Sequence, residues 1–273
     1  MALEPGLYVV ATPIGNLGDI TFRAVETLRG ANLICAEDTR RAQVLLAKFD
    51  LHVPLTSLYG ETEARKTGGI IDRIEAGEAV ALISEAGTPC MSDPGQELVT
   101  ECHRRGVRVI AIPGPSALAA ALSASGLPAK GCRFLGFLPK KAGEKRTALS
   151  AHIGADATLV IFESARDLKE TLTLARELFG DCDSFVWREG TKMHEEAVRA
   201  PISALLNRFS ENVKGEITLL IHVPESAAAG LDRIREAVRL AKSAGLSAKD
   251  AADAVSRLLD IPKKIAYDLY LQE

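Results

Sequence analysis

The chain of 273 residues is poor in several features that would fix a function at once. Its five cysteines, Cys35, Cys90, Cys102, Cys132 and Cys182, are odd in number and widely spaced, with no C-x-x-C pair. A disulfide framework and a thiolate metal site are therefore not expected, and the chain reads as reduced and metal-free. No stretch approaches the roughly 20 apolar residues of a membrane span, so no membrane partner is expected. The first residues lack the basic and apolar segments of a signal peptide, which points to the cytoplasm. G-x-G-x-x-G and the P-loop lysine pattern are both missing, which argues against a dinucleotide or nucleoside triphosphate as ligand. Excess positive charge is missing too. A net charge of −3 speaks against wholesale wrapping of a polyanion, although a mean charge hides local patches. His194-Glu195-Glu196 fails as a zinc-protease helix, because H-E-x-x-H needs a second histidine where Val198 stands.

What is present is an ordinary globular composition, 47% hydrophobic and 25% charged, in a chain long enough for two domains. The first half alternates short apolar runs (7–12, 32–36, 79–84 and 107–112) with helical patterns at 21–29, 61–76 and 96–105. Thr21 stands where an N-cap belongs. Strand–helix alternation predicts βαβ units on a parallel sheet. Two glycines and a proline within 125–131 mark a linker. Beyond it, strands at 133–137, 157–162, 183–187 and 216–223 and helices at 166–179 and 202–209 predict a second α/β domain of mixed strand order. The tail is helical at 231–244, 247–259 and 262–271, with Ser247 at an N-cap and Pro262 at a first helical position. The expected domains are 1–118, 119–225 and a helical extension over 226–273.

Three loops stand out. The richest is LISEAGTPCMSDPG over 82–95, where an apolar strand breaks into Ser, Gly, Thr, Pro and Asp. ATPIGNLG over 11–18 and IPGPSA over 112–117 have the same character. Parallel sheets bind ligands outside the carboxyl ends of their strands. Three such loops, each with proline beside glycine and a small hydroxyl residue, point to one small-molecule site.

The segments LYVVATPIGNLGDIT, AEDTR, LISEAGTPCMSDPG, IPGPSALAAALSASGLP, FLGFLP, TKMHEE and KGE, in that order, closely resemble the ribosomal RNA small subunit methyltransferase I family. That family sits in the tetrapyrrole-methylase-like class of S-adenosylmethionine methyltransferases. The resemblance implies two α/β domains with the cofactor in a cleft between them. It also implies methyl transfer from S-adenosyl-L-methionine to the ribose 2′-hydroxyl of a cytidine in the decoding region of 16S rRNA. The partner would be that rRNA or the assembled small ribosomal subunit, and the protein a homodimer. By the same resemblance Pro13, Ile14 and Gly15, then Ser84, Glu85, Ala86, Gly87 and Thr88, then Gly114, Ser116 and Ala117 line the cofactor pocket. The neighbourhoods of Phe162–Glu163, Thr191–Lys192 and Gly215, Ile217 and Thr218 would close its other wall. A sulfonium with a neutral adenine needs no phosphate cradle, so small-residue loops with exposed backbone groups are an apt lining.

The chain departs from the family pattern in places. Glu85 stands where Asp is usual, Cys90-Met91 where Gly-Ile is usual, Glu163-Ser-Ala-Arg-Asp167 for E-S-P-H-R, and Arg188-Glu-Gly-Thr-Lys192 for R-E-L-T-K. A protonated ribose hydroxyl is a poor nucleophile, so a base or a cation beside the nascent alkoxide should help. Asp38, Glu85 and Lys192 are the candidates, with a salt bridge or a loop cap as the structural alternative for each. For RNA, Lys130, Arg133, Lys140, Lys141, Lys145 and Arg146 against Glu144 alone suggest a basic flap, joined by Arg40. Within the class the rival is a methylase of a tetrapyrrole or other small molecule. It is disfavoured by the missing G-x-G-P-G. The rival outside the class is a non-catalytic RNA-binding assembly factor.

Overall fold

The computed structural model describes residues 3–210, 213–259, 261 and 263–272, and of 61, 62 and 226–232 the backbone only. Its chain divides into two compact units. One holds the residues up to Ala120 together with Glu189–Glu195, and the other holds Ala121–Arg188 and everything from Glu196 on.

The first unit is built on β1 (Gly6–Val10), α1 (Phe22–Gly30), β2 (Leu33–Ala36), α2 (Thr39–Lys48), β3 (Leu55–Ser57), α3 (Gly60–Glu75), β4 (Ala79–Ile83), α4 (Gln96–Arg104) and β5 (Val109–Ile112). The strands form one sheet in the order β3-β2-β4-β1-β5, and every pairing is parallel. β2 and β4 are buried at every position, as strands covered on both faces must be. One face packs Leu28, Ile34, Leu46 and Ala81, the other Ile71, Val80, Leu82 and Leu98. The Thr21 side chain caps α1 by accepting from the backbone N–H of Ala24. The order puts β1 between β4 and β5, so the three loops singled out in the sequence leave neighbouring strand ends.

α5 (Ala117–Ser125) carries the chain onward. The second unit contains β6 (Arg133–Phe137), α6 (Ala142–Ser150), β7 (Ala157–Ser164), α7 (Leu168–Phe179), β8 (Asp183–Arg188), β9 (Glu196–Pro201), α8 (Ile202–Arg208) and β10 (Glu216–Val223). Its sheet runs β6-β7-β10-β8-β9 and is mixed: β6 and β7 are parallel and the remaining pairs antiparallel. Leu159, Ile161, Leu172, Val186, Leu205 and Leu219 form its core. The expected linker is held by this unit: the Thr158 hydroxyl donates to the carbonyl of Pro128 at 2.7 Å, and Arg199 donates to those of Ser125 and Gly126. The chain ends in α9 (Ser226–Ser243), α10 (Ala248–Leu259) and α11 (Lys263–Gln272), three helices around their own cluster of Val238, Ala252, Val255 and Leu269. The Ser247 hydroxyl accepts from the N–H of Asp250 at the start of α10, whereas Pro262 lies outside the described residues.

Mixed α/β architecture with terminal helices is thus what the sequence led one to expect. The structure adds α2, α5, α6, β3 and β9. The sequence ALAAALSAS of α5 is apolar all round and shows no helical stripe. β3 has only three residues, and β9 is an edge strand that alternates half-buried and exposed residues with none fully buried.

Candidate functional site

The loops after β1, β4 and β5 are tied to one another by short contacts. Thr12 and Gly87 exchange both backbone hydrogen bonds, at 2.8 and 3.0 Å. The Thr12 hydroxyl donates to the carbonyl of Ser84 at 3.3 Å. The Thr88 hydroxyl donates to the carbonyl of Pro115 at 3.2 Å, joining the third loop. Gly87 lies at φ +84°, in the left-handed region, and a Cβ there would sit 3.2 Å from Ile14. Pro13, Ser84 and Gly87 are buried, Ile14, Thr88, Ser116 and Ala117 half-buried, and Gly15, Ala86 and Gly114 exposed. Each loop therefore presents backbone polar groups and small side chains over a fixed base.

A fourth segment joins them from far along the chain. The strap Glu189–Glu195, between β8 and β9, packs on the first loop, and the Thr191 hydroxyl accepts from the N–H of Asn16 at 3.1 Å. A Cβ on Gly15 would lie 2.6 Å from Cγ of Lys192 and 2.8 Å from the Thr191 hydroxyl. Glu189 and Thr191 both have φ between +50° and +65°, unusual for residues with a Cβ. The strap is held by Thr191 N–H donating to Glu195 at 2.7 Å and Lys192 Nζ donating to Glu189 at 2.9 Å. Lys192 is in this way delivered to the loop carrying Pro13–Gly15.

The three candidate proton-handling residues differ in their surroundings. Asp38 caps α2, accepting from the N–H groups of Arg40 and Arg41, and also pairs with the Arg40 guanidinium at 3.3 Å. Those bonds hold its carboxyl below the usual range, so it is a poor base and the cap reading fits it. Glu85 is ion-paired with Arg41 of α2. Around it stand two carboxyls that the sequence reading passed over. Glu37 is pushed up by burial first and then by Glu85. Asp93 is pushed up to about 6 by burial and by Glu37, against the opposing hydrogen bond with Ser84. Asp93 was visible as the Asp of SDPG; what the sequence could not show is that β2 and β4 are neighbours, which sets Glu37 and Glu85 at adjacent strand ends.

The residues expected on the other wall occupy β7 and β10 of the second unit, where they are directly paired: Phe162 with Thr218 and Glu163 with Ile217. Alternation splits these pairs. Ile217 lies in the hydrophobic core, and the buried Glu163 accepts from the Thr171 hydroxyl at 2.5 Å and from the Ser164 N–H at 2.8 Å. Their side chains are therefore fixtures of the core. Phe162 and Thr218 turn to the opposite face, and Gly215 is exposed at the start of β10.

The basic flap needs correction. The segment folds into β6 and the first turns of α6. Lys145 is 2% exposed and donates to Glu170 at 2.9 Å, and Arg146 is paired with Glu177. Neither is presented to a phosphate, because α6 turns both inward onto α7. Lys140 and Lys141 remain exposed, the latter 2.9 Å from Glu144, and Arg40 is exposed beside Asp38. Among the described residues no His, Cys, Asp and Glu side chains group as metal ligands. No helix among them is long and apolar enough to cross a membrane.

Two α/β sheets and glycine-tied loops at the carboxyl edge of a parallel sheet define a methylase-type fold, and the family model for tetrapyrrole (corrin/porphyrin) methylases matches residues 6–206. The cobalt precorrin-4 methyltransferase of cobalamin biosynthesis superposes with a TM-score of 0.58 at 21% identity, covering 79% of this chain and 93% of that one. Diphthine synthase does so at 0.61 and 14%, covering 79% and 88%. These likenesses concern the fold. In sequence, the ribosomal RNA small subunit methyltransferase I of Mesorhizobium japonicum is 42% identical over 99% of this chain and 92% of its own length. Those of Halalkalibacterium halodurans and Escherichia coli O157:H7 are each 37% identical over 98% of this chain and 95% of their own. The chain belongs to the tetrapyrrole methylase family and, within it, to the ribosomal RNA small subunit methyltransferase I family.

Proposed function

We propose that this protein methylates small-subunit ribosomal RNA, using S-adenosyl-L-methionine, at the ribose 2′-hydroxyl of a cytidine in the decoding region. It would act in the cytoplasm as a homodimer, on the rRNA or the assembled subunit. The observation that carries the reading is the convergence of the β1, β4 and β5 loops through Thr12, Gly87, Thr88 and Pro115. The donor set suits the cofactor. The loops offer backbone groups without a phosphate cradle, and the carboxyls of Glu37, Glu85 and Asp93 stand close to them, a fit for a ligand with a sulfonium and an ammonium. When bound, the cofactor supplies an activated methyl group with a good thioether leaving group.

The chain's own residues then have three tasks. Pro13–Gly15, Ser84–Thr88 and Gly114–Ala117 hold the ligand in a fixed pose, which lowers the barrier by removing orientational freedom. Lys192, carried by the strap, stabilises negative charge as the ribose oxygen loses its proton. Glu85, once parted from Arg41, accepts that proton and passes it to solvent. Asp38 is left as a helix cap. The tetrapyrrole reading has the family match and a likeness of fold at 21% identity in its favour, against 42% identity with an rRNA methyltransferase over 99% of the chain. Glycine-tied cofactor loops favour a working enzyme over a silent assembly factor. The test is equilibrium binding of S-adenosylmethionine together with transfer of its labelled methyl to rRNA, comparing Lys192→Ala with the natural protein. Unchanged binding with transfer reduced about 100-fold supports the assignment. Natural protein that binds the cofactor and labels no RNA refutes it.

A further inference from the structure

The edge strand of the second unit carries an irregularity. β6 pairs with β7 in register at Phe134 with Val160, but the next pair is Gly136 with Ile161, so Leu135 is an extra residue. The bulge depends on Gly136, whose φ of +62° is in the left-handed region. Its effect is to re-aim the end of the strand. Phe134 and Phe137, three apart in sequence, both reach Phe162 of β7 edge-on, with ring centroids 5.0 and 5.7 Å away and interplanar angles of 70° and 62°. Phe134 is half-buried, whereas Phe137 is 65% exposed. A large apolar ring is thus set by a backbone irregularity against one aromatic neighbour, Phe162, yet left mostly in water. Exposed Lys140 and Lys141 follow within four residues, Lys141 paired with Glu144.

We propose that Phe137 is a stacking platform for an unpaired base of the substrate RNA, with Lys140 contacting the adjoining phosphate. This rests on the rRNA reading above and names the part of the surface that grips the nucleic acid. RNA bases free of a duplex are recognised by stacking on aromatic side chains beside cations that follow the backbone. A rigid ring on a strand suits this better than one on a loop, because less side-chain freedom is lost on binding. The same ring next to two lysines is a poor match for a lipid surface or an apolar protein face, whose contacts would need a wider apolar patch.

The experiment uses the full-length protein. Affinity for a fluorescein-labelled single-stranded fragment of small-subunit rRNA is read by anisotropy, and kcat and KM by methyl transfer to small subunits. Phe137→Ala should weaken RNA binding and raise KM about tenfold, as loss of one stacked base does. Cofactor affinity and kcat at saturation should stay unchanged, and the melting temperature should fall by no more than a few degrees, about the loss of one edge-on ring contact. Phe137→Trp should bind like the natural protein. Phe137→Leu, which keeps apolar bulk at a position 65% exposed, should bind as weakly as the alanine variant. Lys140→Ala should lower the salt dependence of binding by about one unit, while the Phe137 variants leave it alone. Unaltered RNA affinity in Phe137→Ala or Phe137→Leu, in an assay where the natural protein methylates rRNA, overturns this inference and leaves the proposed function standing. So does a loss confined to cofactor affinity or to dimer stability in sedimentation. Natural protein that labels no RNA overturns both.

Discussion

The loop cluster of the first unit and the lysine-rich segment at 130–146 both stand out in the sequence as binding surfaces, yet they fold into opposite kinds of surface. In the loops, Gly87, Thr12 and Thr88 sit where backbone geometry demands them, and their hydrogen bonds join three strand ends. In the basic segment, two of the six cations turn inward: Lys145 is buried against α7, and Arg146 is paired with Glu177. The difference is one of physical content. A glycine or a small hydroxyl at a strand end states a local backbone requirement that holds in any context. A charge states nothing local, because its value depends on a partner that the fold supplies from elsewhere.

Mutations separate the two kinds of surface. The largest expected effect is at Gly15, where an added Cβ would meet Lys192 Cγ at 2.6 Å and push the strap off the first loop. Gly15→Ala should reduce methyl transfer about 100-fold, since misplacing a reacting group by about 1 Å costs that much. Chemical denaturation should show a stability loss of only about 1 kcal/mol. A variant with full activity would detach the strap from the chemistry.

Next comes Lys145→Ala. If the lysine is a fixture of the fold, unfolding by urea should show a loss of about 2 kcal/mol from packing and pairing, milder in Lys145→Met, with RNA affinity unchanged. Weakened RNA binding at full stability would restore the flap.

Asp93 gives a smaller effect with a definite sign. Its folded pKa of about 6, raised by burial and then by Glu37, lies above the value of about 3.9 in an unfolded chain. Between these values the folded state holds a proton that the unfolded state releases. Asp93 therefore costs no stability below about pH 4 and lowers it as pH rises through 6. Asp93→Asn keeps a partner for Ser84 and removes that loss. It should be more stable than the natural protein at pH 8 by on the order of 1 kcal/mol, after discounting for solvent screening, and equal to it near pH 4. Equal stability at both pH values would show that the carboxyl is not held in a hostile site. The smallest effect is at Thr88→Val, which removes the 3.2 Å hydroxyl bond to Pro115 and should cost about 0.5 kcal/mol in thermal unfolding.

Much of the fold was legible because parallel strands buried on both faces read as plain apolar runs: β2 and β4 fall within the expected spans. Less legible was anything that rests on distant pairing. The strap 189–195 belongs to the first unit although its flanking strands belong to the second, and no local pattern announces that. Glu163 looks like a site residue in one dimension, but strand alternation turns it into the core, where it accepts from Thr171. Glu37 and Arg41 became visible only when β2 was found beside β4. The bulge at Gly136 likewise needs its partner strand to be seen.

The central claim is most directly tested by incubating the protein with labelled S-adenosylmethionine and small ribosomal subunits from cells that lack it, then mapping the labelled nucleotide and digesting its sugar. The account predicts label on the ribose 2′-oxygen of a single decoding-region cytidine. Label on a base, on another region, or on no RNA at all despite bound cofactor would contradict it.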